Sequence, residues 1–118
     1  MRANERFRYD LVVRLAGAGR EAVLSSRIAG ATRVVRRVPI GDGPVELRVT
    51  ATEKSYRFGV EAAGKPWALG TLPTQALSAE EIAKDGKDYF TGTCLGLFAT
   101  GNGQRSTAPA DFDWFEYV

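Results

Sequence analysis

Hydrophobic and polar residues alternate with a period of two along much of the chain's N-terminal half. Phe7, Tyr9, Leu11, Val13 and Leu15 alternate with Arg6, Arg8, Asp10, Val12 and Arg14, the spacing of a long strand with one buried face. A turn at Gly17-Ala18-Gly19 leads into residues 21–28, and Gly30 separates these from residues 33–38, so two further strands are expected with mixed alternation. The stretch PIGDGP, from Pro39 to Pro44, breaks the pattern. Val45, Leu47, Val49 and Ala51 then alternate with Glu46, Arg48, Thr50 and Thr52, and after Glu53-Lys54 the rhythm returns in Tyr56, Phe58, Val60 and Ala62. This is the clearest hairpin of the chain.

Beyond it, Gly64-Lys65-Pro66 reads as a turn and Trp67-Ala68-Leu69 as a short strand before Gly70. Residues 71–92 lose the strand rhythm and read as a long loop with one helical piece, Ser78 to Lys84, opened by the capping box Ser78-Ala79-Glu80-Glu81. Residues 93–100 are apolar on both faces, as a central strand covered on both sides would be, and Gly101-Asn102-Gly103 ends them. Residues 110–118, ADFDWFEYV, read as a closing, aromatic-rich strand. Seven or eight short strands with a turn signal every eight to twelve residues predict an all-β chain, an antiparallel sandwich or barrel. With 118 residues, no repeat and no linker-like stretch, one domain over residues 1–118 is expected.

Composition narrows the chemistry. The chain has no histidine, which removes the commonest general base and metal ligand and excludes Ser-His-Asp and Cys-His relays. Its single cysteine, Cys94, forms no intrachain disulfide, and its apolar surroundings suggest a small buried hydrophobe. No run approaches the roughly 18 apolar residues of a membrane span, and MRANERFRYD contains no apolar signal core. No membrane association is expected, and a cytoplasmic location is the expectation. Net charge is +2 but uneven: residues 1–37 hold nine arginines against three carboxylates, and the remainder holds seven basic and eleven acidic residues. Such a basic half can attract nucleic acid. Here, however, the arginines interleave with apolar residues at strand spacing, as on a solvated sheet face, so no nucleic-acid partner is expected.

Few constellations could carry chemistry. Asp111 and Asp113 would share one face of a strand, an arrangement suited to capping a neighbouring turn, to holding a structural calcium ion or to acid/base work. No second acidic cluster supports them. The glycines of Gly17-Ala18-Gly19 and of Gly92 to Gly96 fit no dinucleotide or phosphate-loop pattern. Sugars stack their C–H faces on aromatic rings, and Tyr89 and Phe90, ending the long loop, are the best-placed aromatics for such contact; an aromatic at a strand start also commonly belongs to a core.

The run from Tyr89 to Gly103, YFTGTCLGLFATGNG, followed by STAPADFDWFEY from Ser106 to Tyr117, resembles the end of the C-terminal concanavalin A-like β-sandwich of glycoside hydrolase family 43 β-xylosidases and α-L-arabinofuranosidases. Upstream, GPVELRVTATEKSYRFGVEAAGKPWALG resembles the hairpin segment of the same domain, and FRYDLVVRL resembles one of its central strands. The resemblance covers essentially the whole chain, most strongly after residue 43, and implies a concanavalin A-like jelly roll. In that family the sandwich follows a five-bladed propeller that holds the catalytic carboxylates. This chain contains no propeller sequence, so no catalytic residue carries over and the chain by itself is not expected to hydrolyse sugars. The family also has one or two strands before the one matching residues 6–15, so the sandwich is expected to lack them and to expose a sheet edge through which copies could pair.

The resemblance further implies an accessory domain that packs on a catalytic propeller and helps close a pocket for xylo- or arabino-oligosaccharides. Phe90, just before Thr91-Gly92, matches the phenylalanine that reaches into that pocket, with Tyr89 in its place if the register differs by one. No cofactor is implied. Two other classes remain open at this point: a free-standing carbohydrate-binding or structural module, and a basic sheet for nucleic acid.

Overall fold

The computed structural model describes residues 1–86, 92–107 and 109–117. Seven strands are described: β1 (Arg2–Asn4), β2 (Phe7–Ala16), β3 (Gly19–Ile28), β4 (Ala31–Ile40), β5 (Val45–Ala51), β6 (Ser55–Ala62) and β7 (Lys65–Pro73). They form two antiparallel meanders, a four-stranded sheet in the order β1-β2-β3-β4 and a three-stranded sheet in the order β5-β6-β7. A 3-10 turn (Gln75–Leu77) and one short helix, α1 (Ala79–Ala83), follow β7. This is the all-β, two-sheet architecture expected of a concanavalin A-like sandwich.

The hairpins follow from local turn chemistry. Ala29-Gly30 joins β3 to β4 and Ala63-Gly64 joins β6 to β7, each with both residues at positive φ, the mirror-image turn whose twist matches that of the flanking strands. Between β5 and β6 the Thr52 hydroxyl accepts from the backbone N–H groups of Lys54 and Ser55, so a side chain shapes the turn. Strands run further than the sequence pattern predicts. β4 continues through Pro39 to Ile40, and β7 begins at Lys65-Pro66 and runs past Gly70 to Pro73. Both lie at the edges of their sheets, where a proline's missing N–H leaves no ladder bond broken.

The core lies where the inner faces meet. Tyr9, Leu24, Phe58, Leu69, Leu77 and Ile82 are almost fully buried, each such side chain contributing about 1.5–3 kcal/mol by leaving water. Tyr9 of β2 packs edge-on against Tyr56 and Phe58 of β6, with ring centroids 6.1 and 6.0 Å away. Its hydroxyl donates to the Pro73 carbonyl at 2.8 Å, so one side chain joins the two sheets by ring contact and by hydrogen bond. Gly70 fixes the closest approach. A Cβ there would stand 3.1 Å from Leu24 Cδ2 and 3.3 Å from Val35 Cγ1, so a side chain would require these two to give way by a few tenths of an ångström.

Three expectations are corrected. Residues 93–100 form no strand; only Cys94 pairs, bridging to Arg2 with mutual backbone hydrogen bonds of 2.9 and 2.8 Å. A segment apolar on both faces gains from strand formation only when covered on both sides, and β1, three residues long, offers a very short edge to grow on. Residues 110–117 likewise form no strand, leaving Phe112, Trp114, Phe115 and Tyr117 exposed. Cys94, expected to be buried, is exposed.

The central tyrosine makes a pH-dependent forecast. Burial first, and then the neighbouring Tyr56, push the Tyr9 phenol up to about 12 against an opposing pull from Arg33. The unfolded chain releases this proton near pH 10, so the stability drawn from the neutral phenol is complete below about pH 10 and is lost as pH rises through the folded value. Tyr9→Phe should lower stability at neutral pH by about 1 kcal/mol, for the lost hydrogen bond. It should also flatten the decline between about pH 10 and 12 relative to the parent chain. Denaturant titrations across that range provide the measurement, and equal slopes for the two proteins would refute the assignment.

Candidate functional site

Tyr89 and Phe90 lie outside the described residues, between Gly86 and Gly92. β7 ends at Pro73, and Thr74 docks back on the β5–β6 turn: its N–H donates to the Lys54 carbonyl at 3.0 Å and its hydroxyl to the Glu53 carbonyl at 2.7 Å. Leu77 and Ile82 insert into the core, holding the 3-10 turn and α1 against the sandwich. Ser78 caps α1 as its sequence predicts, its hydroxyl accepting from the Glu81 N–H at 3.3 Å. Beyond the interval, the Thr93 hydroxyl donates to the Leu77 carbonyl at 3.0 Å. The interval that carries the two candidate aromatics therefore starts and ends on the same side of the fold.

A contact that the sequence pattern does not disclose lies at its start. Arg6, in the β1–β2 turn, meets Asp85 with both ends of its guanidinium: Nε donates to Oδ2 at 2.7 Å and Nη2 to Oδ1 at 3.2 Å. The partners are 79 residues apart, and Asp85 is largely buried, with 16% of its side chain exposed. Sequence inspection places Arg6 only on the polar face of β2 and Asp85 only at the end of a helical turn. No spacing rule connects them.

The arginine-rich first third also resolves into individual contacts. Arg8 pairs with Asp10 at 3.0 Å, Arg14 with Glu21 at 2.7 Å, and Arg2 with Glu5. Arg20 donates to the carbonyls of Gly41 and Gly43, and Arg36 to that of Ala68. Four of the nine arginines of residues 1–37 thus face carboxylates and two more are held by backbone carbonyls. Asp111 and Asp113 stand exposed in a stretch without strand structure, so the shared strand face expected of them is not present. Among the described residues no three His, Cys, Asp or Glu side chains gather as a metal site would demand.

A shallow depression on the outer face of the three-stranded sheet is lined by Glu46, Arg48, Gly59, Glu61 and Pro66, and Arg48 there pairs with Glu46. Trp67 already carries the Lys65 ammonium 4.3 Å from its ring centroid. The described residues thus supply a scaffold with firmly tied ends for the interval between Asp85 and Gly92.

Comparison with known proteins agrees with this geometry. All 118 residues match the family model described as the beta xylosidase C-terminal concanavalin A-like domain. A curated relative, the non-reducing end alpha-L-arabinofuranosidase BoGH43B of Bacteroides ovatus, is 36% identical over 121 aligned residues, covering 99% of this chain and 21% of the relative. The solved structure described as Bacteroides ovatus Xyloglucan PUL GH43B superposes with a TM-score of 0.60 at 32% identity, covering 67% of this chain and 16% of that one. The chain thus spans about a fifth of the length of the curated relative it matches. On the whole-length family match and these relatives, the chain belongs to the beta xylosidase C-terminal concanavalin A-like domain family.

Proposed function

We propose that this chain is an accessory β-sandwich of a hemicellulose-degrading glycosidase. It packs on a family 43 catalytic propeller and helps close a pocket for non-reducing-end arabinofuranosides or xylosides. The observation that carries this reading is the family match over residues 1–118, coupled with a relative named as an arabinofuranosidase of which the chain spans only 21%. Phe90 is the side chain this reading assigns to the pocket, with Tyr89 as its neighbour in reserve. The tied ends of their segment, at Asp85 and at Thr93, support it, because a contact donated to another domain must be held in a fixed place.

Three outcomes test this reading. The isolated chain should show no turnover of aryl-arabinofuranosides or aryl-xylosides, because glycoside hydrolysis requires two positioned carboxyl groups flanking the bond. Turnover abolished by Asp111→Asn or Asp113→Asn would overturn that, whereas a contaminating activity would survive the substitution.

The isolated chain should also self-associate. Among the described residues the outer edge of β1 is met by a single bridge, from Arg2 to Cys94, and Leu97, Phe98, Trp114 and Phe115 are half exposed or more. These are a sparsely paired sheet edge and an apolar surface of the kind that recruits a partner. Sedimentation showing a monodisperse monomer at high concentration would count against it.

In the two-domain enzyme assembled from this chain and a family 43 catalytic domain, Phe90→Ala should raise KM for an arabino- or xylo-oligosaccharide by about tenfold, the loss of one stacking contact. The melting temperature should hardly move. A core phenylalanine would instead cost about 3–5 kcal/mol of stability and leave the kinetics of the folded fraction intact.

A further inference from the structure

The β1–β2 hairpin contacts the chain on both sides of the interval that carries Phe90. At the start, Arg6 grips Asp85 through two hydrogen bonds, and its Nη2 donates in addition to the Ala29 carbonyl at 2.8 Å. At the return, Cys94 pairs with Arg2 of β1, four residues before Arg6 in the same hairpin. The turn is itself fixed, because the Asn4 side-chain oxygen accepts from the Arg6 N–H at 2.8 Å and from the Phe7 N–H at 3.1 Å.

The β3–β4 turn lies against the same guanidinium. The Gly30 N–H donates to the Arg6 carbonyl at 3.1 Å, and Gly30 sits at φ +84°. A Cβ at this position would come within 2.8 Å of Arg6 Nη1. Three separate parts of the chain, the β1–β2 turn, the β3–β4 turn and the end of α1, therefore converge on one side chain.

A planar fork that meets a carboxylate with two donors fixes orientation as well as distance, which a single lysine contact would not do. We propose that Arg6 is a positioning residue: its clasp on Asp85 and Ala29 sets where the chain leaves the sandwich after α1, and thereby sets the affinity of the pocket to which this segment contributes. The proposal rests on the reading that the chain completes a sugar pocket.

The test has a structural arm and a kinetic arm. In the full 118-residue chain, Arg6→Ala should speed hydrogen exchange at the Asp85 and Gly86 amides, which donate to the Ile82 and Ala83 carbonyls, by roughly tenfold, with the β3 amides unaffected. In the assembled two-domain enzyme it should raise KM by roughly three- to tenfold with kcat retained. Arg6→Lys should recover part of the loss, because it keeps the charge and loses the fork. Asp85→Asn, nearly identical in shape, should repeat the effect in milder form and serves as the second variant if Arg6→Ala fails to fold.

The pairing with Phe90→Ala separates the two ideas. If both single variants raise KM and the double variant is no worse than Phe90→Ala alone, Arg6 acts through Phe90 and the proposal stands. If Arg6→Ala raises KM while Phe90→Ala does not, the Phe90 assignment fails and the positioning role stands, exerted through another residue of the segment. An unchanged KM in both Arg6→Ala and Asp85→Asn overturns the proposal, even if exchange at Asp85 and Gly86 accelerates.

Discussion

The contact on which the rest of the structure depends is the packing of Tyr9 against Tyr56 and Phe58. Two meanders joined by one connection have no ladder hydrogen bonds between them, so their relative placement rests on side chains. Tyr9 provides both an edge-on aromatic packing that resists sliding and a directed hydrogen bond to Pro73 at the end of β7. Gly70 permits this closeness by leaving room for Leu24 and Val35. Because Pro73 is also the last residue of β7, the same contact sets where the following segment begins.

From that point the chain is guided by polar contacts as much as by burial. Thr74 docks on the β5–β6 turn, Leu77 and Ile82 enter the core, Ser78 starts the helix, and Arg6 receives Asp85 at its end. The interval between Asp85 and Gly92 is bracketed by two contacts from the β1–β2 hairpin, Arg6 with Asp85 before it and Arg2 with Cys94 after it. The arginines take part in the same way. Read along the chain they look like a basic surplus, whereas in the fold Arg6, Arg8 and Arg14 face carboxylates and Arg20 and Arg36 face carbonyls.

Much of the sandwich is legible in the sequence because strand period is a local property. The alternation of Phe7 with Tyr9 and of Phe58 with Val60 names residues that are indeed buried, and the capping box at Ser78 marks a real helix start. The errors are those that a local rule must make. Pro39 and Pro66 look like breaks because proline interrupts a central strand, and only sheet order reveals that both lie at edges. Residues 93–100 and 110–117 carry a strand's pattern, but a strand also requires a neighbour with free hydrogen-bonding groups, and only Cys94 finds one among the described residues.

The sequence by itself determined the all-β class, most of the hairpin positions, the buried centres of the strands such as Phe7, Tyr9, Phe58 and Val60 although not their ends, where Leu15 is exposed, and, through its motif-rich C-terminal half, the family. These are set by spacing, by turn propensity and by residue identity, all readable within a short window. Only the tertiary structure decided which strands stand at the edges, that Cys94 is exposed, and that Arg6 and Asp85 meet across 79 positions. Such pairings arise because folding brings distant charges together in a half-buried setting, and no period in the chain encodes that meeting.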